Sequence, residues 1–221
     1  MKILAIDTST HACSAALYQD GEITSIYRVA PRLHGEILLP MIDELLTTAD
    51  LQLSELDTLA YGCGPGSFTG VRLAASCIQG LAVGANKPVI GVSSLSALAH
   101  TFYTQLGYAQ LACAFDARMQ EVYWGLYQLE AGEWQLQGEE QVIAPNQIKD
   151  LPAGQWIGVG DGWDTYADIL ADSTGIQQAF PRCYPNAASV AELAISAFKR
   201  GEVLAPEQAL PTYLRDNVTY R

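Results

Sequence analysis

The 221-residue chain is 49% hydrophobic with a mean hydropathy of +0.10, enough apolar material for one large domain or two small ones and too much for a disordered chain. A formal net charge of −12, with only 12 basic residues, disfavours binding to a phosphate backbone, which depends on Lys and Arg. Five cysteines (Cys13, Cys63, Cys77, Cys113, Cys183) form no C-x-x-C pair, so neither a disulfide framework nor a zinc knuckle is indicated and a reducing cytoplasm fits best.

Ile3 to Ile6 is a short apolar strand ending at Asp7, with too few apolar residues for a signal-peptide core. Thr8-Ser9-Thr10 follows, then a second strand from Cys13 to Tyr18, the turn Asp20-Gly21 and a returning strand from Glu22 to Val29. From His34 to Ala49, Ile37, Leu38, Met41, Ile42, Leu45 and Leu46 recur at helical spacing, with Pro40 as a kink. A strand from Thr58 to Tyr61 delivers the glycine-rich loop Gly64-Pro-Gly-Ser-Phe-Thr-Gly70, and a helix spans Val71 to Ala85. That helix lies in the most apolar long window, which Arg72 and Gln79 interrupt, and it reads as a core or interface helix. Val89 to Val92 is a strand, and Ser93 or Ser94 caps a helix to about Thr104.

At Leu111 the pattern restarts with a strand ending at Asp116, a second run from Glu121 to Leu129 and the turn Ala131-Gly132. Asp7 to Asp116 is 109 positions and Gly21 to Gly132 is 111, which predicts duplication of one α/β unit: lobes 1–105 and 106–221, each with a mixed sheet. Trp156 to Gly160 is a strand running into Gly160-Asp161-Gly162, with a helix from Trp163 to Ala171. A last helix spans Ala187 to Arg200, with Ser189 as a cap, and the tail from Leu210 is expected to dock.

Gly64, Gly66 and Gly70 match neither a dinucleotide fingerprint, whose third glycine comes one residue earlier, nor a Walker A loop, since Val71-Arg72 stands where Lys-Ser/Thr is needed. The loop is either an anion cradle at a helix N-terminus or a turn for close packing. Asp7 with Thr8 could hold a metal–phosphate group, and Asp116 and Asp161 could complete a nucleotide site; each also fits a turn former. His11, His34 and His100 provide no H-x-x-x-H pair, and no G-x-S-x-G elbow is present, so neither a metallopeptidase nor a serine nucleophile is indicated.

Five motifs in order, Ile3-Leu-Ala-Ile-Asp-Thr-Ser-Thr10, His34-Gly-Glu-Ile-Leu-Leu-Pro40, Gly64-Pro-Gly-Ser-Phe-Thr-Gly-Val-Arg72, Asp116-Ala-Arg-Met-Gln-Glu-Val-Tyr-Trp-Gly125 and Leu210-Pro-Thr-Tyr-Leu-Arg215, resemble the TsaB (YeaZ) family of tRNA threonylcarbamoyladenosine biosynthesis. The resemblance implies a duplicated actin/hexokinase-like fold and a non-catalytic subunit without metal or cofactor. Such a subunit binds a TsaD-type catalytic subunit, a TsaE-type ATPase joins, and threonylcarbamoyl goes to adenosine 37 of tRNAs reading ANN codons. It places partner contacts at His34, Glu36, Leu38 and Ile42 on one helix and at Val71, Ala74, Ala75 and Ile78 on the other, with a homodimer through the same helices when TsaD is absent. The residues leave one other class open, a small-molecule kinase or ATPase of the same superfamily.

Overall fold

The structure is a computed structural model that describes residues 1–215, in two compact units. The first unit takes Met1–Ala97 and Pro185–Thr212; the second takes Leu98–Tyr184 and, of the described tail, residues 213–215. This departs from a single boundary near residue 105. The chain changes unit inside one helix and later returns, because the last helix packs on the first unit's sheet.

The first unit opens with an antiparallel meander, β1 (Lys2–Asp7), β2 (Ala12–Gln19) and β3 (Glu22–Val29). Its hairpin turn puts Asp20 at φ +51° and Gly21 at +109°, the left-handed pair that a tight two-residue hairpin demands. After α1 (His34–Thr48) come β4 (Thr58–Gly64), α2 (Phe68–Ala85), β5 (Val89–Ser93) and the start of α3 (Ser94–Leu106). The sheet order is β3-β2-β1-β4-β5, with β1 parallel to β4 and β4 parallel to β5. β1 is central and covered on both faces, so Ile3-Leu4-Ala5-Ile6 is an unbroken apolar run instead of an alternating one.

One face of this sheet, carrying Leu4, Ile6, Leu17, Leu59 and Tyr61, is covered by Leu38, Met41, Ile42 and Leu45 of α1 and by Ala74, Ala75, Ile78 and Ala82 of α2. At 18 residues α2 meets the length and apolarity of a membrane span, but its apolar stripe is committed to this core. The other face, with Ile3, Ala5, Ala16 and Ile90, receives Ala187, Val190, Ala191 and Ala194 of the last helix. Alanines on both sides let that helix approach closely.

In the second unit α3 leads to β6 (Gln110–Arg118), β7 (Glu121–Glu130), β8 (Glu133–Leu136), β9 (Gln141–Ile143), β10 (Ile157–Val159), α4 (Gly162–Thr165), α5 (Ala167–Thr174) and β11 (Ala179–Phe180). The order β8-β7-β6-β10-β11 repeats that of the first unit: an antiparallel meander beside two parallel strands, with β9 added against β7. The duplication expected from the spacing is therefore a duplication of topology. The helix expected over Trp163 to Ala171 is broken at Tyr166 into α4 and α5. The chain then re-enters the first unit as α6 (Ala187–Lys199), capped by Asn186, whose side chain accepts from the Ser189 N–H at 2.9 Å. Ser189 is thus the capped residue, not the cap. Ser93 caps α3 from its side chain, accepting from Leu95 and Ser96 N–H.

Candidate functional site

β1 ends at Asp7, and the turn that follows is filled by the glycine loop. Thr8 Oγ1 donates to the Gly70 carbonyl at 2.7 Å, and Ser67 N–H donates to the Ser9 carbonyl at 2.7 Å. A Cβ on Gly66 would lie 2.4 Å from the Ser9 carbonyl oxygen and one on Gly70 would lie 2.0 Å from that of Thr8, so both glycines serve close approach of the two loops. Gly64, at φ +109°, packs the same way against the Thr212 carbonyl. α2 starts at Phe68, earlier than Val71, because Ser67 caps it by accepting from Gly70 N–H.

Asp7 is fully buried beneath this loop. Its Oδ1 accepts from Ser9 N–H at 3.0 Å and Ser9 Oγ at 2.9 Å; Oδ2 has no hydrogen-bond partner among the described residues and lies where a Gly62 Cβ would sit 1.9 Å away. Burial raises its pKa from 3.8 to about 6, against the two Ser9 hydrogen bonds that lower it. Burial also pushes the Cys13 thiol up to about 12 and the Cys77 thiol to about 11, which removes both as nucleophiles near neutral pH.

Asp116 and Asp161 meet in the second unit. Asp161 Oδ1 accepts from Asp116 N–H at 3.0 Å, while Asp116 accepts from Arg118 N–H and from Arg118 Nη1, both at 2.8 Å. The flanking Gly160 and Gly162 bring their chain onto Ala114, where a Cβ at Gly160 would meet the Ala114 carbonyl at 2.3 Å. The turn beyond Asp116 is unusual: Arg118, Met119 and Gln120 stand in succession at φ +60°, +55° and +63°, left-handed backbone that costs each residue roughly 1–2 kcal/mol.

Arg215, half of the tail's expected docking, holds that turn. Nη1 donates to the Ala117 carbonyl at 3.1 Å and Nη2 pairs with Glu121. Thr212 N–H in turn donates to the Cys63 carbonyl at 2.7 Å and the Tyr61 hydroxyl to the Leu210 carbonyl at 3.0 Å, so the tail docks on each unit's own loop. Arg215→Ala should lower stability by about 1–3 kcal/mol, since a mostly buried charge-assisted fork is lost. Arg215→Lys should recover less than half of it. Hydrogen exchange at the amides of 117–121 checks both; unchanged protection contradicts the clamp.

The eight expected partner-contact residues separate into two groups. His34 is half-buried, with Nε2 3.1 Å from the Ala12 carbonyl, and Glu36 is exposed. Leu38, Ile42, Val71, Ala74, Ala75 and Ile78 are buried in the chain's own core, so their side chains are not available to a partner. An apolar stripe at helical spacing marks whatever the helix buries, and here that is the sheet. The exposed faces of the same helices instead carry Leu39 on α1 and Phe68, Arg72, Ser76, Gly80 and Val83 on α2, with Leu39 56% and Val83 64% exposed. Their spacing of three and four was readable in the sequence, hidden behind the stronger core stripe. Among the described residues, no three His, Cys, Asp or Glu side chains group to hold a metal ion.

Two repeats of one meander-plus-parallel-strand unit, with an aspartate at the end of the first strand in one and two residues before it in the other, define a duplicated actin/hexokinase-like α/β protein. The family model described as "TsaD: tRNA N6-adenosine threonylcarbamoyltransferase" matches residues 24–220. The tRNA threonylcarbamoyladenosine biosynthesis protein TsaB of Escherichia coli K12 is 40% identical, over all of this chain and 97% of that protein, and that of Haemophilus influenzae is 40% identical over all of this chain and 96% of its own. YeaZ from Pseudomonas aeruginosa superposes with a TM-score of 0.91 at 45% identity, covering 96% of this chain and 99% of that one. The chain belongs to the TsaB family of tRNA threonylcarbamoyladenosine biosynthesis proteins.

Proposed function

We propose that this chain is a non-catalytic platform of the cytoplasm. It binds a TsaD-type catalytic subunit, with a TsaE-type ATPase joining, and is required for threonylcarbamoyl transfer to adenosine 37 of tRNAs reading ANN codons. The observation that carries this reading is the outer face of α1 and α2. Leu39, Phe68 and Val83 are large apolar side chains more than half exposed, and a Cβ at Gly80 or Gly84 would meet nothing within 4 Å. Glycine inside a helix costs about 1 kcal/mol relative to alanine, and here nothing among the described residues requires it; a closely packed outside partner does. The net charge of −12 suits a subunit that leaves tRNA contact to others.

The engagement of Thr8 and Ser9 hydroxyls inside the turn supports a platform over a small-molecule kinase, because those groups already have partners. Asp7, Thr8, Gly64, Gly66, Gly70, Asp116 and Asp161 are then an inherited nucleotide-fold framework. Val83→Asp and Gly80→Arg leave the core untouched and should each weaken co-purification with the TsaD-type protein at least tenfold, a change of about 1.4 kcal/mol or more. Undiminished complex with both folded variants refutes the interface. Calorimetry with Mg-ATP on the isolated chain tests the other class: tight binding with turnover overturns the platform reading.

A further inference from the structure

Segment 137–152, which carries β9 back along β7, walls a cavity of about 460 Å³ within the second unit. Trp124 and Leu126 of β7 and Ile148 of the segment form its floor, and all three belong to that unit's core. The volume falls within the roughly 300–1,000 Å³ of small-molecule sites, and an apolar floor beneath a few polar groups is how such sites are built.

Around the floor stand Gln137, Glu139, Gln141, Gln147, Lys149 and Asp150. Among the described residues none of these six side chains has a hydrogen-bond or ion-pair partner. Exposed charges often lack one, so the contrast with the rest of the unit decides what this means. Residues 98–184 hold eleven carboxylates against three basic side chains, Arg118, Lys149 and Arg182. Arg118 pairs with Asp116 at 2.8 Å and Arg182 with Asp164 at 3.2 Å, and the Tyr127 hydroxyl donates to Glu140, beside Glu139. Lys149 stays unpaired where acids outnumber bases, and it lines the cavity. Asp150 follows at φ +56°, a left-handed turn that breaks the alternation of an extended chain and lets two adjacent side chains line one cavity.

We propose that this cavity binds a free α-amino acid as its zwitterion, with an apolar side chain. Lys149 takes the α-carboxylate, Asp150 and Glu139 take the α-ammonium, and the side chain lies on Trp124, Leu126 and Ile148. Neighbouring opposite charges on the protein call for neighbouring opposite charges on the ligand, and in an α-amino acid both groups sit on one carbon. The amides of Gln137, Gln141 and Gln147 can serve either group, as donor or acceptor. A phosphorylated ligand suits the cavity poorly, because one ammonium and no guanidinium faces two carboxylates. A purely cationic ligand would leave Lys149 opposed. The site is independent of the outer face of α1 and α2 and stands whether or not that face docks a partner.

Calorimetric titration of the full chain with L-phenylalanine and L-leucine tests it, with backbone amide chemical shifts locating the contact. Saturable binding at millimolar concentration or below is expected, with shifts at 137–152. Two probes keep the ring of phenylalanine and drop one charge: 3-phenylpropanoate lacks the ammonium and 2-phenylethylamine lacks the carboxylate. Each should bind about tenfold more weakly than phenylalanine. Lys149→Met should erase the preference for phenylalanine over 2-phenylethylamine, and Asp150→Asn should cut the preference over 3-phenylpropanoate at least about threefold. Both positions are exposed and asparagine accepts left-handed backbone, so both variants should fold as the original chain does. Absence of heat and of shifts up to about 10 mM amino acid overturns the proposal. So does binding that the two single-charge probes match, that neither substitution alters, or whose shifts lie away from the cavity.

Discussion

Gly70→Ala should destabilise the protein by about 3 kcal/mol or more, while Gly80→Ala, ten residues on in the same helix, should stabilise it by about 0.5–1 kcal/mol. Both positions lie within α2, Gly70 in its first turn and Gly80 in its interior, so helix propensity alone favours alanine at each. The sign is decided by what the new methyl group meets. At Gly70 it lies 2.0 Å from the Thr8 carbonyl oxygen, a backbone atom that cannot rotate away and that belongs to the turn next to buried Asp7. Relief requires moving the N-terminus of α2 off the β1–β2 turn, which also breaks the Thr8 hydroxyl bond to the Gly70 carbonyl and the Ser67 bond to the Ser9 carbonyl. At Gly80 nothing stands within 4 Å. Thermal unfolding of the two variants beside the original chain provides the comparison. Equal and small effects at both sites would mean that the glycine loop is not held against the turn. If Gly80→Ala raises the melting temperature yet weakens the TsaD-type complex, stability and docking are separated at one residue.

The same pair of glycines shows where the sequence is readable and where it stops. Glycine spacing and Pro65 identify a built turn, but cradling an anion and admitting another loop make the same demand on the backbone. Only the positions of the Thr8 and Ser9 carbonyls distinguish the two. The meanders were readable because Asp20-Gly21 and Ala131-Gly132 sit between apolar runs, and the near-constant offset exposed the duplication. The return of 185–212 to the first unit was not: the apolar positions of α6 would suit either sheet, and the choice is made by the alanines it meets on β1 and β2. Likewise Leu38, Ala75 and Ile78 lie on the apolar stripes of α1 and α2 and are for that reason core. The exposed residues Leu39, Ser76, Gly80 and Val83, which we propose for a partner, follow a weaker pattern that becomes visible once the core stripe is assigned. Leu38→Asp or Ala75→Arg would report on folding rather than on docking, because each places a charge in a sealed core.

Asp7→Asn should stabilise the protein by about 3 kcal/mol at pH 7 and above, and remove a pH dependence that the original chain shows between about pH 4 and pH 6. Asp7 in the folded chain holds its proton to about pH 6, against 3.8 ordinarily, because the carboxyl is fully buried and only one oxygen is hydrogen-bonded. A carboxyl with a raised folded-state pKa binds a proton more tightly when folded. Its contribution is therefore most favourable below the unfolded pKa and is lost as pH rises through the folded one. At about 1.4 kcal/mol for each tenfold change in proton affinity, the difference between 3.8 and about 6 amounts to about 3 kcal/mol above pH 7. Asp20, Glu55 and Glu202 are shifted the other way, their pKa values lowered first by hydrogen bonds to the N-terminus, Gln52 N–H and Arg200 respectively, and they work against the trend in the raw profile. Subtracting the Asp7→Asn profile from the original removes those shared contributions and leaves the Asp7 curve. Asparagine keeps an oxygen for Ser9 and carries no charge to desolvate, so the variant should unfold at higher denaturant at pH 7.5 and match the original chain near pH 4. A variant less stable at pH 7.5 would show that ionised Asp7 is matched in the folded state by a partner on Oδ2, and would revive a cation- or nucleotide-holding role for this carboxylate.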